Sequence, residues 1–394
     1  MTTASAPTDH PLHRLSPEEL EEIGQAFQAI HDEVRADLGD RDAVYIRSLI
    51  EFHRRLAALS RIALMASRYP PAWVLGVTGL SVAKILENME IGHNILHGQW
   101  DWMNDPFIHS SSWDWDTAST SVAWKHSHNY LHHTFTNVVG KDKDVGYQIM
   151  RVDPKQAWEP RFLAQPVVNV LLMLAFEWGV AFHDLDFEEI LKGKKDKKVL
   201  KEELKGIAEK ARRQIVKDYV IFPALSGRKG FKRTLQANIT ANLVRNIWSN
   251  AIIFCGHFPD QAYTFTEEEA AGESRGEWYV RQLLGAVNID GSDTFHLMSG
   301  NLSYQVEHHL FPDMPSSRYK EIAPKVKTVC ERYGLPYNTG PFGKQWLMVQ
   351  RTILRLAFPG GKVRPKAPPY VAPEVVEPSR PTVPAMGGPV PAFP

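Results

Sequence analysis

The stretch KHSHNYLHHTFTN, residues 125–137, constrains this chain more than any other: His126, His128, His132 and His133 fall within eight positions. The chain holds 16 histidines, and seven of them lie between residues 93 and 133. Two further clusters have helical ligand spacing. His93 and His97 are i, i+4, and Gln305, His308 and His309 are i, i+3, i+4, so each set shares one helix face. His128, His132 and His133 repeat the i, i+4 pattern with an added neighbour, and His257 ends an apolar segment. A lone buried histidine is usually a hydrogen-bonded core residue. Three clusters with ligand spacing point instead to a metal site. His126 faces away from His128 on a helix, and His109 and His296 read as bystanders.

The pattern excludes several metal chemistries. A zinc protease needs glutamate directly after the first histidine of its motif, and position 94 is Asn94. Ferritin-like di-iron bundles need two Glu-x-x-His repeats, and Glu90 to His93 forms one without a second. A structural zinc uses four ligands. Eight or nine nitrogen-type ligands in three clusters fit two metal ions better than one.

Elsewhere the chain reads as helical. Ser16-Pro17-Glu18-Glu19 is a capping box, followed by Leu20, Ile23, Phe27, Ile30 and Val34 at helical spacing. That amphipathic helix lies on a membrane surface or on the domain itself. Arg47 to Met65 is a second, basic amphipathic stretch. Mean hydropathy is −0.29, but it averages polar, Pro-rich ends with long apolar stretches at 70–86, 165–182 and 239–256. Each falls slightly short of the roughly 20 residues that span a bilayer. Residues 192–217 carry eleven Lys or Arg against four acidic residues, as a cytoplasmic loop would. If 162–183 simply spanned, that loop would lie outside, so the positive-inside rule favours a re-entrant or interfacial 162–183. Residues 362–394 hold ten of the 27 prolines and cannot build a core. The division expected is a polar lead and amphipathic helix over 1–40, a membrane domain over 41–355 and a disordered tail over 356–394. Lys+Arg and Asp+Glu are both 45, which leaves no electrostatic footprint for nucleic acid. Cys255 and Cys330 are isolated, which speaks against a disulfide framework, a Cys-rich zinc site or an iron–sulfur cluster. The N-terminus has no apolar signal-peptide core.

HNILH, HNYLHH and QVEHH, with the flanking NMEIGHNILHGQWDWMNDP, WSNAIIFCGHFPD and SGNLSYQVEHHLFPDMPS, resemble the histidine boxes of the integral-membrane fatty acid desaturases. The likeness covers about residues 40–345. It implies an all-α fold, a polytopic membrane helical bundle with a cytoplasmic histidine-box cap, in the cytoplasmic membrane with the active site facing the cytoplasm. It implies two iron ions, held by His93, His97, His128, His132, His133, His257, His308 and His309, with Gln305 as a weak ligand or a hydrogen-bond partner of one. It implies O₂-dependent insertion of a cis double bond into a fatty acyl chain, acyl-CoA at the delta-9 position. Gln305 at the head of the third box also resembles front-end acyl-lipid desaturases, and a di-iron hydroxylase or alkane-type monooxygenase shares similar boxes. Membrane lipid and a fatty acyl-CoA or acyl-lipid substrate are the expected partners. The chain has no His-Pro-Gly-Gly haem motif and no nicotinamide fingerprint, so a separate donor of ferredoxin or NADPH-reductase type is expected to dock from outside, with 192–217 as a candidate surface.

Overall fold

Ser16 begins the first helix as its capping box requires: its hydroxyl accepts from the Glu19 amide at 3.2 Å, and the Glu19 carboxylate accepts from the Ser16 amide at 2.8 Å. The computed structural model of the chain describes residues 10–185, 190 and 193–366. The first nine residues, Lys192 at the start of the basic run and the proline-rich tail from 367 lie outside the described residues. Helix α1, Pro17–Ala36, buries Leu20, Ile23, Phe27, Ile30 and Val34 in one core with Tyr279, Leu283, Phe311, Ile322 and Val326. Of the two surfaces its apolar stripe allowed, it therefore covers the protein. The crossing is tight, since a Cβ on Gly276 would sit 1.9 Å from the Leu20 carbonyl oxygen.

Next come α2, Asp40–Met65, and α3, Pro70–Leu86, which pack as a hairpin. Helices α4, Gln165–Leu174, and α5, Phe176–His183, follow, then α6, Lys197–Ile215, and the long α7, Gly227–His257, which lies against α3. Helix α8, Arg275–Gly285, precedes strand β1, Asn288–Asp290. Helices α9, Gln305–Leu310, and α10, Tyr319–Arg332, lead to β2, Thr339–Pro341, which pairs in parallel with β1, and to α11, Phe342–Leu356. The fold is predominantly helical. Leu356 and Ala357 are fully buried, so packed structure runs into the first residues assigned to the tail.

Charges hold the hairpins together from inside. Asp218 is fully buried and accepts from Lys84 Nζ at 2.7 Å and from Arg61 at 3.0 Å. This ties α2, α3 and the π-helical extension of α6, Val216–Ile221, to one carboxylate. Glu177, the charge inside the apolar 165–182 stretch, is 6 % exposed and pairs with Arg245 at 2.5 Å. Among the described residues no single helix is long and apolar enough to cross a membrane. Pro160–Leu174 with Phe176–His183 passes as a pair bent by 103°, as a broken span or a re-entrant loop would. Asn246 reconciles the break: its amide donates to Leu174 O at 2.9 Å, and its oxygen accepts from the Glu177 amide at 3.4 Å. A kink needs such replacement partners for the backbone groups it frees.

Candidate metal centre

Each histidine cluster comes from a different part of the chain. The first follows directly on α3, where Glu87–His93 is π-helical and continues through Asn94–Leu96 to His97. The second lies on a π-helical segment, Lys125–His132, with His133 opening the next turn. His257 is the last residue of α7, and Gln305, His308 and His309 share the short α9. The boxes were expected on regular α-helices, and the first two are wider i→i+5 turns instead. Such turns gather at functional sites because they re-aim side chains within an otherwise continuous helix.

The structure brings all eight boxed histidines together. One ligand nitrogen from each of His93, His97, His128 and His308 lies within 4.8 Å of the other three, and His132, His257 and His309 form a second such group. His133 joins His308 and His309 in a third, so it sits between the two nests. Gln305 Nε2 lies 2.9 Å from His257 Nε2. His126 is exposed and stacks on Tyr130, His109 bonds Ser111 in a loop, and His296 bonds Ser303 at 2.7 Å. None of these three joins a nest among the described residues.

The remaining ring nitrogens show what holds the imidazoles in place. His132 Nδ1 faces the buried Asp142 carboxylate at 3.0 Å, and Asp142 is itself fixed by the Asn137 and Asp144 amides. Asp144 lies 3.5 Å from His128 Nδ1 and 2.9 Å from His183 Nε2. His308 Nδ1 meets the Tyr319 hydroxyl and His309 Nδ1 meets Gln282 Oε1, both at 3.2 Å. Such partners fix tautomer and ring direction. What they leave over is informative. The Nε2 atoms of His97, His128, His132, His133 and His308 are buried with no hydrogen-bond partner, as is Gln305 Oε1. A buried polar atom without a partner costs about 1–3 kcal/mol. Five in one place fit a centre whose imidazoles turn inward on cations, and an all-nitrogen set suits iron, zinc or copper.

Burial keeps most of these rings neutral and able to bind. It lowers His93 to about 3, with the charge of His128 adding to it, and takes His97, His133, His308 and His309 well below the usual histidine value. His132 is the exception. Burial opposes its charging, but Asp142 and then Asp144 outweigh that and raise it to about 9. A cation arriving there displaces a proton.

A cavity opens on the centre. His93, His128, His257, Gln305 and His308 form one wall; Met89, Trp115, Trp124, Phe176, Ile253 and Leu302 supply an apolar one. His183, Asp184, Glu177 and Asn246 line a polar part. Asp142, Asp144, His183, Gln282 and Tyr319 were not foreseen as part of this site. The KDKD of residues 141–144, beginning eight residues after the second box, was the available signal for the two carboxylates.

Residues 69–341 match the family model for fatty acid desaturase. The chain belongs to the fatty acid desaturase family. It is 46% identical over 356 residues to the NADPH-dependent stearoyl-CoA 9-desaturase of Mycobacterium tuberculosis, covering 90% of this chain and 83% of that one. It is 25% identical over 312 residues to the sn-1 linoleoyl-lipid 6-desaturase of Synechocystis, covering 77% and 85% of the two chains. A shorter match, 33% over 104 residues and 26% of this chain, reaches the human fatty acid desaturase 3.

Proposed function

We propose that this desaturase introduces a cis double bond at the delta-9 position of a long-chain acyl-CoA, at a di-iron centre held by His93, His97, His128, His132, His133, His257, His308 and His309. The observation that carries this reading is the buried double nest of nitrogens with unsatisfied lone pairs, opening on a mostly apolar cavity. The 46% identity to a stearoyl-CoA 9-desaturase supports the acyl-CoA and the position. Gln305 is 3 % exposed beside His257 and is assigned as a weak ligand or as the group that orients His257.

Bound iron would supply the activation of O₂ needed to break unactivated C–H bonds. The chain's own residues do the rest. Trp115, Trp124, Phe176 and Leu302 hold the acyl chain by apolar contact, since its target carbons carry no polar handle, and they exclude water from the centre. Asp142 and Asp144 hold the rings of His132 and His128. Removing two hydrogens supplies two electrons, and reducing O₂ to two waters takes four. Two more electrons and two protons therefore come from a separate donor of ferredoxin or NADPH-reductase type, and the relative's NADPH dependence fits this. The exposed cations of α6, among them Lys198, Lys201, Lys205 and Arg212, are the proposed docking surface, facing the cytoplasm with the centre.

Membrane attachment is assigned to exposed apolar side chains on three neighbouring helices: Val167, Val170 and Leu171 on α4, Leu243, Val244 and Ile247 on α7, and Leu347 and Leu354 on α11. The experiment that tests the function is expression in a host lacking unsaturated fatty acids. Growth rescue with a double bond located at carbon 9 by mass spectrometry is the expected result. An inserted hydroxyl would assign a hydroxylase instead, and a new bond only in intact glycerolipid would assign an acyl-lipid desaturase.

A further inference from the structure

We infer that the tip shared by the α2–α3 turn and the start of α7, remote from the metal centre, binds the phosphate headgroups of anionic phospholipid. The inference deepens the membrane reading above. The two turns are one structural unit. Ser67 Oγ donates to Gly230 O at 3.2 Å and pairs with Thr234 Oγ1 at 2.9 Å, and Trp73 Nε1 donates to Arg233 O at 2.9 Å. This brings Arg68 beside Arg228, Lys229, Lys232 and Arg233, all five exposed. None of them has an ion-pair partner among the described residues. Acidic residues are absent from the sequence over 52–86 and 219–259, the segments that build the tip.

The arrangement is unfavourable on its own. Residues 228, 229, 232 and 233 are i, i+1, i+4 and i+5, so four cations crowd one helix face, where like charges at i, i+4 repel. They also occupy the first two turns of α7, where the helix dipole disfavours cations. An anionic surface reverses both terms. The apolar surroundings select which anion. Tyr69, with the Arg68 guanidinium 4.5 Å over its ring, stands with the exposed Met65, Leu75, Leu225 and Phe231 at the same tip. Cations interleaved with tyrosine and exposed aliphatic side chains match a headgroup layer above acyl chains. An acidic electron donor has no use for this place. Pro70 to His93 is 24 residues of continuous helix, on the order of 36 Å.

The test uses the full-length protein in neutral detergent micelles and reads tryptophan quenching by brominated phosphatidylglycerol and brominated phosphatidylcholine, with Trp73→Phe isolating the tip's signal. Phosphatidylglycerol should quench the Trp73 component at lower mole fraction than phosphatidylcholine, and added salt should shift its curve. Arg228→Gln should weaken the response about fivefold. R228Q/K229Q/K232Q/R233Q should abolish the lipid preference with turnover and iron content unchanged, and neutralising Lys198, Lys201 and Lys205 on α6 should leave it intact. Equal quenching by both lipids, or a quadruple variant that still prefers phosphatidylglycerol, overturns the inference. Competition by millimolar inorganic phosphate, or a tighter response to polyaspartate, also overturns it, in favour of a free-anion site or an acidic protein. Recovery of the native chain in a salt-washed soluble fraction would instead refute the membrane reading beneath it.

Discussion

Asp142 does more for the centre than its position outside the boxes suggests. Its carboxylate bonds a box histidine at 3.0 Å while two backbone amides fix its own oxygens. Asp142→Asn keeps the shape and removes the charge that orients His132, so iron retention should fall about 10–100-fold with the fold intact. Iron per chain after gel filtration checks this; unchanged retention would remove Asp142 from the site. Alanine at His132 or His257 should abolish turnover, whereas alanine at His126 or His109 should leave it near the native rate. The boxes were legible in the sequence because helical spacing alone places i and i+4 on one face. Asp142, Asp144 and His183 were not, because their contacts depend on where loops return. His183 is 39 residues from the carboxylate it bonds.

At the scale of the elements, two sets of contacts decide which helices can move. Asp218 serves three helical segments at once, and Asp218→Ala would leave Lys84, 5 % exposed, without its nearest partner. Breaking a buried pair in this way costs about 3–5 kcal/mol, whereas replacing both partners with apolar residues is often neutral. Asp218→Ala should therefore lower the unfolding midpoint sharply, and Asp218→Leu with Lys84→Met should recover most of it. A single variant as stable as the native chain would refute the network's role. Helix α1 is pinned differently. His31 Nε2 meets Asp313 at 3.3 Å and His31 Nδ1 meets Asp32 at 3.1 Å. The hydrogen bond to Asp313 raises the His31 pKa above 6.5 in spite of partial burial. A raised folded-state pKa stabilises fully below the unfolded value and fades as pH climbs through the folded one. His31→Gln should thus destabilise most near pH 6, and the gap to native should close under alkaline conditions. A gap that widens with pH would reverse the assignment. The sequence could not place α1, because an apolar stripe does not name the surface it covers; Gly276 opposite Leu20 O does.

Across the whole molecule, the histidine nests are buried while most cations of α6 are exposed. If a separate donor docks as proposed, the purified chain with acyl-CoA, O₂ and NADPH should make no double bond until a reductase is added. Turnover should then weaken as salt rises, because screening shortens the reach of the α6 charges to about 8 Å at physiological ionic strength. Sustained NADPH-driven desaturation by the chain alone would refute this. Hydropathy made the apolar stretches visible but not their partners: α7 carries Arg245 fully buried against Glu177, and the 165–182 stretch breaks at Ala175. Those properties come from partners distant in sequence.

The π-helical turns at Glu87–His93 and Lys125–His132 have a genetic consequence. A π turn is an α-helix carrying one surplus residue, so the ladder can heal by losing one. Deleting Ser127, for instance, would restore regular winding and leave the flanks in phase, but it would take from the side chains inside the wide turn the directions that turn gives them. Side-chain exchanges away from the histidines would be absorbed, but a one-codon gap would turn His128 and His132, which lie inside the wide turn, away from their counterparts together. Among functional descendants of this chain, the two segments should accept substitutions only away from their histidines, while keeping their lengths fixed. A deep mutational scan that includes single-codon deletions would reveal this as two narrow windows closed to length change.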